Sequence, residues 1–260
     1  MSVLPPLPPY RSAKVVRVST DLAVKYGTGV QMGEAENMRL AAGVPSLLVP
    51  FEQDVEYIPT HDMTKCTYIL MDWIHGDCLA HIWPSLDQTG RGVMVRCIYD
   101  MITALHNTIL DKPGPVGAGP FNSRRDMEIW FDSRLTVCRQ YRNAPRDGFS
   151  FIDKLRPLVL CHLDIHTHNV IVDKQGSLWL LDWEFAGRYP PYFEGLFMIN
   201  DHDNPEFTAR LKALLENPEH KDQIARIESI GFAVTTGRKI EPSKEVLLDR
   251  QQIAHIHIAI

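Results

Sequence analysis

Apolar positions along the chain change period several times, and each change predicts an element. "KVVRVST" and "LAVKYG" read as a strand pair with "TD" at the turn. "QMGEAENMRLAAG" predicts a helix of about three turns, stopped by Gly43. "VPSLLVPF" resumes extended structure, and "CTYILMDWIHG" predicts a buried strand ending at Gly76. The order so far is strand, strand, helix, strand, strand.

Beyond Gly76 the period becomes helical. "GVMVRCIYDMITALHNTIL" places Val95, Ile98, Ile102 and Leu105 on one face, as a long core helix would. "DKPGPVGAGPF" is a loop, and "DMEIWFDSRLTVCRQY" is a second amphipathic helix. "LVLCHLDIHTHNVIVDKQGSLWLLDWEFAG" reads as strand, loop, short strand, turn at "KQG", strand, loop. The stretch from about Pro205, "NPEFTARLKALLENPEHKDQIARIESI", is helical, and the final "IAHIHIAI" fits strand and helix alike. The proline-rich "LPPLPPY" is extended. It includes a P-x-x-P-x-R match from Pro6 to Arg11 that would suit an SH3 groove, but packing on the domain is the preferred reading. The resulting plan is a lead-in over 1–11, a small β-rich N-lobe over 12–76 and a larger helical C-lobe over 77–260.

Composition narrows the class. With 260 residues and 45% hydrophobic content the chain can bury a substantial core without staples. A net charge of -5 and no Lys/Arg block argue against a nucleic-acid partner. The five cysteines are scattered and never form C-x-x-C, which suggests free thiols in a reducing compartment. No apolar run reaches the roughly 18 residues of a membrane span, and the first residues lack signal-peptide character. The expected location is cytoplasmic, without membrane association.

The candidate chemistry lies in "CHLDIHTHNV". His162, Asp164, His166 and His168 fall at every second position, so on a strand they would share a face. That could supply three ligands to zinc in a metallo-hydrolase. It leaves Asn169 and Asp182 unexplained. A phosphotransfer loop accounts for both. Such a loop needs an aspartate at the acceptor hydroxyl and hard oxygen ligands for Mg²⁺. His162-Leu163-Asp164 with Asn169 has the H-x-D-x-x-x-x-N spacing of kinase loops. The hairpin "VIVDKQGSLWLLD" returns Asp182 beside them.

On these residues the chain resembles the aminoglycoside phosphotransferase-like family, the kinase-like group that also takes in choline kinases, and most closely its fungal branch. "HLDIHTHNVIV" resembles the catalytic loop and "LLDWEFAGRYPPYFE" the metal-binding segment. The resemblance implies an α+β, bilobal protein-kinase-like fold. It implies an ATP- or GTP-dependent, Mg²⁺-assisted transfer to a hydroxyl of a small molecule. Asp164 would be the base or orienting group, with His162 bracing the loop, and Asn169 and Asp182 would hold metal. "LAVKYG" resembles the strand that makes Lys25 the phosphate-contacting lysine, and "EAENMRLA" the helix that supplies its partner, Glu34 over Glu36. "YILMDWIHG" resembles the hinge, so the backbone of Asp72, Trp73 and Ile74 would hold adenine.

One feature departs from the family. No glycine precedes Gly27, so the expected Gly-bearing lid over the phosphates is truncated or absent. A non-catalytic pseudokinase that keeps the fold is therefore the alternative. The helix over 126–141 mixes Asp126, Glu128 and Asp132 with Arg134 and Arg139, beside Trp130, Phe131 and Tyr141. Such a surface suits a hydroxylated acceptor of low charge better than a polycation.

Overall fold

A computed structural model describes residues 13–59, 65–108, 121, 123–141, 144–197 and 201–231. The proline-rich lead-in, the position expected for a lid before residue 13, the loop over 111–120 and the Ile-rich end lie outside the described residues. Two compact units emerge, one from residues up to 122 with 157–216, the other from 123–156 with 217 onward.

The first unit opens with β1 (Lys14–Arg17) and β2 (Leu22–Gly27), paired antiparallel as the alternating pattern predicts. Helix α1 (Met32–Ala42) follows and stops at Gly43. Its inward face carries Glu34, Ala35, Asn37, Met38 and Ala41. A carboxylate and an amide on the buried face of a helix require partners, and both find them in the site below.

The next strand is displaced from its expected place. Residues 44–51 form turns in which Val44, Leu47 and Val49 are buried individually, and only Leu48 makes an isolated bridge, to Trp179. The strand is β3 (Glu52–Pro59), which pairs with β4 (Lys65–Asp72) after a register shift at Glu52/Asp54. The sheet order is β1-β2-β4-β3, so β3 is an edge strand. An edge strand with a wetted face tolerates the polar sequence "EQDVEYIP", whereas the apolar run before it plugs the core without joining the ladder.

The chain continues through β5 (Gly76–Cys78) and the short α2 (Leu79–Ile82) into α3 (Gln88–His106). The Asp87 carboxylate caps α3 by accepting the Gly90 N–H at 2.7 Å. Val95, Ile98, Ile102 and Leu105 are all buried, as their spacing predicts. Helix α4 (Arg124–Tyr141) opens the second unit. The chain then returns to the first unit with β6 (Val159–Cys161), β7 (Val170–Asp173), β8 (Leu178–Leu180) and β9 (Gly187–Tyr189). Strands β5, β7 and β8 form one sheet, and β6 pairs with β9.

Helices α5 (Phe193–Phe197) and α6 (Pro205–Leu214) complete this unit, with Pro205 at the helix start where its missing N–H costs nothing. The helical run expected from Pro205 is interrupted. Pro218 opens a separate turn, and α7 (Lys221–Ser229) belongs to the second unit. Among the described residues no helix is long and apolar enough to cross a membrane.

The core of the first unit gathers Ile69, Leu79, Trp83, the α3 stripe, Leu160, Val170, Trp183, Phe207 and Leu211. Trp83 and Phe207 meet edge to face at 5.4 Å. Truncating Phe207 to alanine should lower stability by about 3–5 kcal/mol in urea unfolding, whereas Val93→Ala on the exposed face of α3 should change it by less than about 1 kcal/mol. Equal effects of the two substitutions would remove Phe207 from the core.

Candidate active site

Two hairpin ends and one helix face supply the site. The loop after β6 does not run as a strand. Leu163 takes a left-handed φ of 65°, and a 3-10 turn spans Thr167–Asn169. His162, Asp164, His166 and His168 therefore do not alternate along a strand, which removes the pattern on which the zinc reading rests. The His162 ring spends both nitrogens: Nε2 donates to the Leu181 carbonyl at 2.9 Å, and Nδ1 accepts the Asp164 N–H at 3.3 Å. It also packs edge to face on Trp183 at 4.7 Å. Burial lowers its pKa, so the ring is a neutral brace. His168 instead meets Asp203 at 2.7 Å on the surface.

Asp164 is nearly buried. Asn169 Nδ2 donates both to the Asp164 carbonyl at 2.9 Å and to Oδ2 at 3.0 Å. His166 Nε2 lies 3.7 Å from the same oxygen. Burial pushes the Asp164 carboxyl up, but His166, His162 and Asn169 outweigh it and hold it below the usual range. The other oxygen, Oδ1, is buried without a hydrogen-bond partner. A buried carboxylate oxygen of this kind has capacity for a further hydrogen-bond donor or a cation.

Asp182 follows β8 with a φ of 61°. Left-handed backbone at a non-glycine residue is strained and persists where the surroundings impose it. Here the Lys25 ammonium meets the Asp182 carboxylate at 2.9 Å and that of Glu34 at 2.7 Å. Lys25 and Glu34 are both buried. Burial draws the Lys25 pKa down, and the two carboxylates outweigh it and raise it. Burial pushes Glu34 up to about 7 against the pull of Lys25. Helix α1 is fixed to the same segment by Asn37, whose amide donates to the carbonyls of Trp183 at 3.3 Å and Ala186 at 2.7 Å.

The sequence-derived set thus converges for Lys25, Glu34 and Asp182, and for His162, Asp164 and Asn169. The hinge is partly committed. Asp72 donates its N–H to Phe51 and Trp73 to Asp21, at 3.0 and 2.8 Å. Of the three hinge residues, Ile74 alone keeps an N–H without a partner among the described residues.

Three further acids escaped sequence reasoning. Glu194, fully buried, accepts the N–H groups of His162 and Leu163, both at 2.8 Å, and so clamps the strained start of the loop. Asp201 clamps its end, accepting the Thr167 N–H at 2.9 Å and the Asn204 N–H at 2.9 Å. Glu184 has its pKa raised by burial and by Asp182 and Asp164, against Lys25. The available signal was an acid in apolar or turn-rich surroundings, "YPPYFEG" and "INDHDNP", where a buried charge must be satisfied. Two other clusters have metal-ligand composition: His106, Cys161 and Glu194, and His168, Asp201 and Asp203. Their central carboxylates are already occupied by backbone N–H groups, and neither cluster includes Asp164.

The fold is that of a kinase-like phosphotransferase. A family model described as APH, phosphotransferase enzyme family, matches residues 33–227, well over half of the chain, and the chain belongs to that family. Solved structures agree on the fold. The gentamicin complex of APH(2″)-IIa is similar with a TM-score of 0.54 and 13% identity, covering 84% of this chain and 77% of that one. ADP-bound aminoglycoside phosphotransferase APH(2″)-Ib gives 0.52 and 12%, covering 93% and 91%. Aminoglycoside phosphotransferase APH(4)-Ia gives 0.51 and 12%, covering 84% of each. No curated protein matches the chain by sequence.

The Glu34 proton provides a pH test. The folded state holds it more tightly than the unfolded chain, whose glutamates titrate near 4.5. This carboxyl therefore contributes stability that is full below the unfolded value and lost as pH rises through about 7. Urea unfolding at about pH 5 and about pH 8 should show wild type losing ground to Glu34→Gln at the higher pH. A difference independent of pH would contradict this.

Proposed function

We propose that this phosphotransferase is an ATP- or GTP-dependent, Mg²⁺-assisted kinase acting on a hydroxyl of a small molecule. The observation that carries the reading is the Lys25 ammonium held between Glu34 and Asp182, with Asp164 and Asn169 locked together on the neighbouring loop. In this reading Lys25, positioned by Glu34, contacts the nucleotide phosphates, and the hinge around Asp72, Trp73 and Ile74 meets the base. Asp164, kept ionised by its neighbours, orients the acceptor hydroxyl and takes its proton.

The donor set fits a hard divalent cation. Asp182 has one oxygen on Lys25 and leaves the other, and Asn169 spends its amide nitrogen on Asp164 and leaves its carbonyl oxygen. The carboxylates of Asp164 and Asp182 lie on neighbouring segments, and the buried Oδ1 of Asp164 has no hydrogen-bond partner among the described residues. Mg²⁺ held by Asn169 and Asp182 would offset the charge of the transferred phosphates. Nucleotide should accordingly raise the melting temperature only with Mg²⁺ present, and Asp182→Asn should lose most of that shift. An Asp182→Asn protein that responds like wild type would exclude it as a ligand.

The acceptor is inferred to carry little charge. Of the acids of α4, Asp132 is hydrogen-bonded within its own unit, Asp126 is exposed, and Glu128 is buried beside arginines with neither carboxylate oxygen hydrogen-bonded. Asp132 accepts from Ser150 Oγ and the Phe151 N–H, and buried Glu128 lies 3.7 Å from Arg124 and 3.9 Å from Arg125. Because Asp126, Glu128 and Asp132 are interspersed with Arg124, Arg125, Arg134 and Arg139, the helix carries charges of both signs and not the single-sign field that would gather a polycation. Phe131 is core, packed on Phe151 at 5.5 Å, while Trp130 remains half-buried beside it. Nucleotide consumption should be stimulated by neutral hydroxylated metabolites in preference to polycationic aminoglycosides. Asp164→Ala should abolish that turnover while nucleotide still binds. Saturable phosphorylation of aminoglycosides with neutral alcohols inert would overturn the acceptor class. Undiminished turnover in Asp164→Ala would overturn the role of the aspartate.

A further inference from the structure

Behind α1 lies a cavity that the phosphotransfer chemistry does not use. Glu36, Asn37, Arg39 and Leu40 of α1 and Arg188 of β9 line it, with a volume of about 350 Å³. Small organic ligands occupy pockets from roughly 300 Å³ upward. The lining is mainly apolar, and its charges are unevenly matched. Arg39 is committed to Glu52 at 2.5 Å. The Asn37 amide is committed to the carbonyls of Trp183 and Ala186. Glu36 is exposed to solvent, where water screens it. Arg188 differs from all of these. Its Nη1 is buried without a hydrogen-bond partner, and it makes no ion pair among the described residues.

Guanidinium nitrogen withdrawn from water and left unpaired is costly, because desolvation is not repaid by an anion. Burial lowers the Arg188 pKa, and no neighbouring carboxylate acts against it. The planar fork of arginine suits two oxygens of a carboxylate or phosphate, and the apolar wall suits a hydrocarbon body attached to them.

We propose that this cavity binds a small organic anion, a carboxylate or phosphate monoester on an apolar body, with Arg188 as its charge partner. The site is separate from Lys25, Asp164, Asn169 and Asp182, none of which lines it. It is nevertheless joined to them, because Asn37 forms part of its wall and also fixes α1 to the segment after Asp182. An occupant would hold α1, and with it Glu34, against β9.

Isothermal titration of the full chain, without nucleotide or Mg²⁺ and at matched ionic strength, tests this. The probes are benzoate and phenyl phosphate, with acetate and inorganic phosphate as bare head groups. Benzoate or phenyl phosphate should bind wild type saturably and one to one, more tightly than its bare counterpart. Arg188→Gln should weaken binding by about tenfold or more, and Arg188→Lys should restore part of it. Leu40→Trp, which fills the cavity and leaves the charge in place, should abolish binding and keeps the test decisive if Arg188→Gln does not fold. Failure of every probe to bind wild type saturably would overturn the proposal. So would binding that survives both Arg188→Gln and Leu40→Trp. Bare head groups binding as tightly as the aromatic anions would overturn the apolar part.

Discussion

One ammonium group organises the centre of this molecule. The Lys25 side chain leaves a strand of the N-terminal sheet, meets the carboxylate of a helix at 2.7 Å and that of a later hairpin at 2.9 Å. A strand, the helix that follows it and a hairpin more than 150 residues later are thereby tied to a single buried charge. Withdrawing that charge from water is expensive, and two carboxylates at contact distance offset the cost. The carboxylates in turn repel one another and Glu184. The result is a cluster of three carboxylates around one lysine, in which burial first, and Asp182 and Asp164 after it, raise the pKa of Glu184 against Lys25. A perturbed cluster of this kind is expected where a charged substrate and its metal complete the set.

Around this centre the shape of the loop between β6 and β7 is imposed from outside. Leu163 and Asp182 both adopt a left-handed backbone without being glycine. Neither residue prefers that state. Glu194 holds the N–H groups of the first strained residue and of the residue before it, and Asp201 holds the far end of the loop. Buried carboxylates that accept backbone N–H groups are strong, directional clamps, which is how unfavourable dihedrals can persist. The neutral His162 ring adds a cross-brace from the loop to Leu181, directly before Asp182, so the two strained residues share one support.

Much of this was legible in the sequence where the chemistry is contiguous. Asp164 and Asn169 lie in one loop at a spacing that only a few chemistries use, and the alternating hairpin after them leads directly to Asp182. Lys25 and Glu34 were legible by order, as a strand followed by a helix whose buried face carries an acid. Glu194 and Asp201 were not legible, because their partners are backbone N–H groups, which carry no side-chain signature. The position of β3 was misread for a related reason. Val44, Leu47 and Val49 are apolar because they fill the core, and apolarity alone does not reveal whether a segment also joins a ladder. The Arg188 cavity was invisible because it joins a helix to a strand nearly 150 residues later, with an unpaired charge as its only mark.

The clamps also set an order of events during synthesis. Asp164 leaves the ribosome before Asp182, Glu194 and Asp201, and chains emerge at roughly 5–20 residues per second. Until Glu194 has emerged, nothing holds Leu163 in its left-handed state, and the loop should relax to ordinary backbone. Lys25 and Glu34 can pair early, but their third partner arrives only with the hairpin. The geometry of the candidate site is therefore a late product of folding, closed by residues that follow Asp164 and Asn169 along the chain. A nascent chain stopped before residue 194 could hold every candidate catalytic side chain and still lack the site.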